Sequence, residues 1–184
     1  MGSQTHLLQN GGDFIGFQED LRYPSNGINP PGAISDPGRN TTTGLLQFDA
    51  SSTEIIAGVA QFPHGWAEGS SITPHIHIRG VDASDPGGTQ FTRWTLDYKW
   101  YNQTAVTPAA YTTDTQDFIL PAHIGGVSVN LLAEFTAVSG SGKIYSSLFE
   151  WKLSRIGGSD TYVGDCVLLE FDIHYLHYRM GYTP

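Results

Sequence analysis

The stretch from Phe91 to Tyr101, FTRWTLDYKWY, constrains the fold of this chain more than any other. Its large apolar side chains recur at every second position, Trp94, Leu96, Tyr98 and Trp100, with Arg93, Thr95, Asp97 and Lys99 between them. Successive side chains of a pleated strand point to opposite faces, so this pattern predicts a strand with one buried side. In an α-helix the same residues would spread around the circumference and bury nothing as a set. A second layer must therefore cover this face.

Comparable runs precede and follow it: LLQFD, EIIAGVAQF, TPHIHIR, DFILP, VSVNLLAEF, IYSSLFEWKLSRI and DCVLLEFDIHYLHY. They are short and separated by turn residues, the spacing of a sandwich or barrel. VSVNLLAEF has a short helix as its alternative. AVTPAAY and the Thr/Asp cluster near Asp114 read as a turn-rich stretch. In the last run Val167, Leu169, Phe171, Ile173 and Tyr175 are expected on one face, and Leu168, Glu170, Asp172 and His174 on the other.

The chain has 184 residues, of which 22 are Gly and 10 Pro, and only 15% are charged, which favours turns over exposed charged helix. About eight short antiparallel strands in one domain of this size predict an all-β jelly-roll sandwich. Residues 1–43 contain GG, YPSNG, NPPG and SDPG and read as an extended N-terminal arm, leaving 44–184 as the β domain. Phe14, Phe17 and Tyr23, with Ile15 and Leu21, are the arm's apolar anchors and are expected to dock on a neighbouring subunit.

Nine basic against 18 acidic residues give a formal charge of −9, which disfavours phosphate backbones and anionic membranes as partners. The N-terminus lacks the basic and apolar regions of a secretory signal, so the chain is expected to be soluble and unexported. Its single cysteine, Cys166, lies in an apolar run and reads as a buried thiol. No GxSxG elbow, P-loop or GxGxxG is present, and the reading is of a protein that is not an enzyme and has no cofactor.

One stretch departs from this bland picture. In Gly69–Gly80, GSSITPHIHIRG, Ile76 and Ile78 share one strand face and His75 and His77 the other. Two imidazoles at i and i+2 form half of a metal site if further ligands arrive from another strand. His174, with Glu170 or Asp172, would complete it if the two strands are neighbours. The spacing from Gly69 to His75 and His77 resembles the first cupin motif, which implies a metal-dependent enzyme as one alternative. The next acid is Asp82 rather than the glutamate of that motif. The other reading makes His75 and His77 polar residues on an outer or intersubunit face. Glu170 and Asp172 likewise read either as an acid/base pair or as partners of Arg or His across the sheet. Trp66, beside His64 in QFPHGW, reads as an interface aromatic.

The strings DLRYPSNGINPPGAISDPGRNTTTGLLQFDASSTEIIAGVAQFPHGW, PHIHIR and WKLSRIGGSDTYVGDCVLLEFDIHY resemble small virion proteins of tailed bacteriophages and prophages, over about Asp20 to Tyr175. The resemblance implies a virion structural protein, above all a jelly-roll decoration or cement protein that clamps the outer surface of the phage head. The partners it implies are the major capsid protein and further copies of the chain, as a homotrimer suited to a threefold junction. A tail or fibre component touching the host is the alternative within the same particle.

Overall fold

The computed structural model describes residues 16–32, 35–81 and 85–178. Ten strands appear among them: β1 (Gly16–Pro24), β2 (Gly38–Arg39), β3 (Leu46–Phe48), β4 (Thr53–Gln61), β5 (Thr73–Gly80), β6 (Phe91–Tyr101), β7 (Thr112–Ile119), β8 (Leu131–Glu134), β9 (Leu148–Ile156) and β10 (Cys166–Tyr178). A single 3-10 turn at Ser25–Gly27 is the one helical element of the described residues.

The strands form two antiparallel sheets. One has the order β2-β3-β10-β5-β8, with β1 also paired to β10; the other is β4-β9-β6-β7. The pairs β3·β10, β4·β9, β5·β8 and β6·β7 are nested, as in one long hairpin folded over on itself. That nesting of eight strands across two sheets is the jelly roll, and the fold class is an antiparallel β-sandwich.

The inner faces meet in an aromatic core. Trp94 on β6 meets Phe48 on β3 at a ring separation of 4.8 Å, and Trp151 on β9 meets Phe171 on β10 at 4.5 Å. Trp94, Leu96 and Trp100 are buried and Tyr98 packs on the same cluster, so the period-two reading of β6 holds along the whole strand. Each such ring contributes roughly 1.5–3 kcal/mol by leaving water, and T-shaped or tilted pairs add about 0.5–1.5 kcal/mol. A Cβ at Gly58 would lie 2.4 Å from the Trp151 ring, so the indole packs directly on backbone there.

Two local readings are corrected, and in a third the strand is chosen over its helix alternative. The Thr/Asp stretch read as a turn belongs to β7, where Thr95 and Thr115 hydroxyls bond across to β6 at 2.9 Å. The segment VSVNLLAEF holds a strand at Leu131–Glu134 rather than a helix. In β10 a register shift between Leu168 and Glu170 reverses the facing of the strand's first residues. Cys166 and Leu168 therefore join the core, whereas Phe171, Ile173 and Tyr175 keep the expected inward face.

The N-terminal segment is extended, but its described part lies in the protein's own sheet. β1 pairs with β10 from Gly16↔Tyr178 to Pro24↔Glu170. Leu21 and Tyr23 pack on the core, with Tyr23 at 5.4 Å from the Trp151 ring, and so anchor this segment to the chain's own sandwich. Arg39 then fixes the following turn by donating to the carbonyls of Ile28 and Gly44 at 2.7 and 2.8 Å. Phe14 lies outside the described residues.

Candidate functional site

The outer face of the first sheet carries a polar cluster built by strand register. His75 on β5 stands opposite Asp172 on β10, His77 opposite Glu170, and β1 places Asp20 opposite His174 and Arg22 opposite Asp172. Because alternate residues share a face, Asp20 and Arg22, Glu170, Asp172 and His174, and His75 and His77 all lie on one side. Ile76, Ile78, Leu21 and Ile173 turn the other way, into the core.

The charged groups meet as follows. Nε2 of His75 and Nε2 of His77 approach the same oxygen, Asp172 Oδ2, at 3.3 and 3.2 Å. His174 Nε2 lies 2.9 Å from Asp20 Oδ1, and Arg22 Nη2 donates to Glu170 Oε2 at 2.6 Å. The His75 ring sits 4.1 Å from that of His174 and 5.1 Å from that of His77. His75 is 1% exposed and Asp172 2% exposed. His75 Nδ1 and Asp172 Oδ1 are buried with no hydrogen-bond partner, although such atoms are normally satisfied.

Asp20 and His174 tune one another. Partial burial works to raise the Asp20 carboxyl, but the adjoining His174 ring, with His75 and Arg22 nearby, holds it below the usual range. The Asp20 contact raises His174 above an ordinary histidine, against the opposing effect of burial.

The structure thus brings His75, His77 and His174 together with Asp172, because β5 and β10 are neighbours. Glu170 is taken by Arg22. Both carboxylates are partnered across the sheet, and no acid/base pair is formed by them. Asp20 and Arg22 had no place in the sequence reading. The alternation Asp20, Leu21, Arg22, Tyr23 marks β1 as a strand, but only the fold sets it beside β10.

Other candidates fall elsewhere. Trp66 is a core residue, 1% exposed, with its ring 5.0 Å from Phe62 and 5.4 Å from Trp100; its apolar bulk is spent within the chain, which corrects the interface reading. His75, equally buried, is likewise no surface contact. Phe17 is partly exposed and stacks on His177 at 4.8 Å. His64 contacts Ser146 Oγ at 3.2 Å, and His123 contacts Ser128 Oγ at 3.3 Å. His6 and Asp82 lie outside the described residues. The histidine pair of β5 faces away from the space between the sheets, which the aromatic core fills, so the cupin-like spacing does not place a metal inside the sandwich.

A polar hollow of about 370 Å³ is lined by Arg39, Asn40, Asp49, Glu54 and Asp165, among others. Its acids are already engaged: Asp165 accepts from Gln47 and the Ala50 amide, Asp49 from Ser51 and Ser52, and Glu54 from the Asp49 amide. It offers no free ligand set.

Comparison with known proteins adds little. No family model matches the chain, and no curated protein matches it. Solved structures with weak similarity include a GH26-CBM35 β-(1,4)-mannanase of Podospora anserina (11% identity, 90% of this chain, 29% of that chain, TM-score 0.34). Another is an aminopeptidase from a marine-sediment Thaumarchaeota archaeon (9% identity, 87% of this chain, 33% of that chain, TM-score 0.34). A third is Desmodium yellow mottle tymovirus (8% identity, all of both chains, TM-score 0.29). The chain spans about a third or less of the first two, at 29% and 33%. Likeness at this level carries no argument about function.

Proposed function

We propose that this chain is a structural protein of a bacteriophage virion, a decoration or cement protein that binds the outer surface of the head and clamps neighbouring capsid subunits. The observation that carries the reading is the filled sandwich. Trp94, Trp151, Phe48, Phe149 and Phe171 occupy the space between the sheets, so the working surface of this fold is its outside. A clip repeated over a shell needs only a modest contact per copy, because avidity multiplies it.

A second feature supports the same reading. The β7–β8 connection carries Ile124 at 74% and Val127 at 67% exposure, joined by an isolated bridge, and Ile119 at the end of β7 is also exposed. Large apolar side chains grouped at one corner suit a partner surface better than water. The charge of −9 is consistent with a place outside the DNA-filled shell. On this reading copies of the chain associate symmetrically, as a trimer at threefold junctions of the major capsid protein.

Immunogold labelling of particles produced from the genome that encodes this chain tests the proposal. Label distributed over heads is expected. Label confined to tails would transfer the chain to the tail or fibre alternative, and unlabelled particles would remove it from the virion.

A further inference from the structure

We propose that His75, His77 and Asp172 bind one divalent transition-metal ion of the zinc class on the outer face of the first sheet. This goes beyond the virion reading and does not depend on it. The ligands come from two paired strands: an i, i+2 histidine pair on β5, and a carboxylate directly opposite its first member on β10.

Distances separate this group from an ordinary ion pair. A charge-assisted N–H···O contact lies at about 2.7–2.9 Å, which is where His174 and Asp20 stand, at 2.9 Å. His75 and His77 instead approach one oxygen of Asp172 at 3.3 and 3.2 Å. Ligands held 2.0–2.1 Å from a tetrahedral ion stand about 3.3–3.4 Å apart, the edge of the coordination tetrahedron. Two of the three ligand spacings thus match that edge, and all three ligand atoms lie within 4.8 Å of one another, close enough to share one centre. The neighbouring trio Asp20, His75 and His174 also draws its atoms together, within 4.8 Å. There His174 and Asp20 stand at 2.9 Å, shorter than a coordination edge, so that trio flanks the site rather than forming a second one.

Burial supplies the independent observation. Asp172 is almost wholly enclosed, yet its Oδ1 has no hydrogen-bond partner. A carboxylate oxygen left without a partner is costly to enclose. A cation beside it removes that cost, and Oδ1 is available to the same ion. A metal on Nε2 of His75 also assigns that ring's proton to Nδ1.

The donor set specifies the kind of ion. Two neutral imidazoles and one carboxylate suit zinc and its first-row neighbours, whereas calcium and magnesium require oxygen shells. The His77 side chain is 33% exposed, so the centre is reachable from water and its fourth position is open to a water molecule.

The test uses the full chain, stripped with chelator and dialysed against zinc chloride, with metal counted by plasma mass spectrometry and affinity measured by calorimetry. One zinc per chain is expected, with no comparable uptake of magnesium. His77→Gln and Asp172→Asn should each weaken binding by more than the roughly 10–100-fold typical of outer-shell changes, whereas His123→Gln should leave it unchanged. His77 is one-third exposed and faces away from the core, so His77→Gln keeps the core intact, and near-ultraviolet circular dichroism checks its fold. Cobalt provides a second readout, since a tetrahedral centre gives strong visible bands that the His77 variant should lose. Absence of stoichiometric zinc in the native chain, or equal affinity in a folded His77→Gln variant, overturns the proposal.

Discussion

Replacing Arg155 with methionine should be among the most damaging single changes in this protein. Arg155 is fully buried on the inner face of β9, where hydrophobic side chains would be expected. Its Nε donates to Asp160 Oδ2 at 2.9 Å, Nη1 to the Phe48 carbonyl at 3.0 Å and Nη2 to the Tyr162 carbonyl at 3.1 Å. One guanidinium thus ties β9, the end of β3 and the β9–β10 connection together. Methionine fills much of the volume but leaves the Asp160 carboxylate, itself 2% exposed, without its countercharge. Breaking a buried pair from one side costs about 3–5 kcal/mol. At about 2–4 °C per kcal/mol for a domain of this size, the midpoint should fall by roughly 6–20 °C. The double variant Arg155→Met/Asp160→Asn should recover part of the loss, because the stranded charge is gone. It keeps two orphan carbonyls at about 1–3 kcal/mol each. Urea unfolding followed by tryptophan fluorescence provides the values, since Trp66, Trp94 and Trp151 are fully buried reporters. A loss below about 1 kcal/mol for Arg155→Met would refute the reasoning, as would a double variant no better than the single.

Two further predictions address the thiol and the exposed corner. Burial pushes the Cys166 thiol up to about 12, so almost no thiolate exists at pH 8; a disulfide reagent should leave the folded protein unlabelled and modify one thiol per chain in urea, and rapid labelling of the native state would show the burial to be wrong. Ile124→Asp with Val127→Asp should change the unfolding free energy by no more than about 0.5 kcal/mol per site, as surface changes do, while weakening association between copies in sedimentation velocity; an unchanged oligomer would remove this corner from the interface.

The sequence made the sandwich legible because its strands alternate cleanly. Trp94, Leu96 and Trp100 on β6 follow period two without interruption, and local pattern is all that strand assignment needs. β10 was harder: one bulged residue near Leu169 reverses facing, and a bulge leaves no mark in hydrophobic spacing. The site was half visible for a related reason. His75 and His77 share a face by local geometry, but their meeting with Asp172 depends on β5 and β10 being neighbours, which is a property of the whole topology. Asp20 and Arg22 are hidden behind the Gly/Pro-rich composition around them, which reads as an extended arm docking on a neighbour where the chain adds a strand to its own sheet. Trp66 misled because QFPHGW has the residues of a surface turn, whereas the indole is the part that goes inside.

We propose that this protein works on the outside of a phage head. The most direct test is to add purified protein to heads made without it, sediment them, and count the bound copies. Saturable binding to heads at a fixed number per shell is expected, with DNA release on heating moved to higher temperature. Heads that sediment without the protein and release DNA at an unchanged temperature would contradict it.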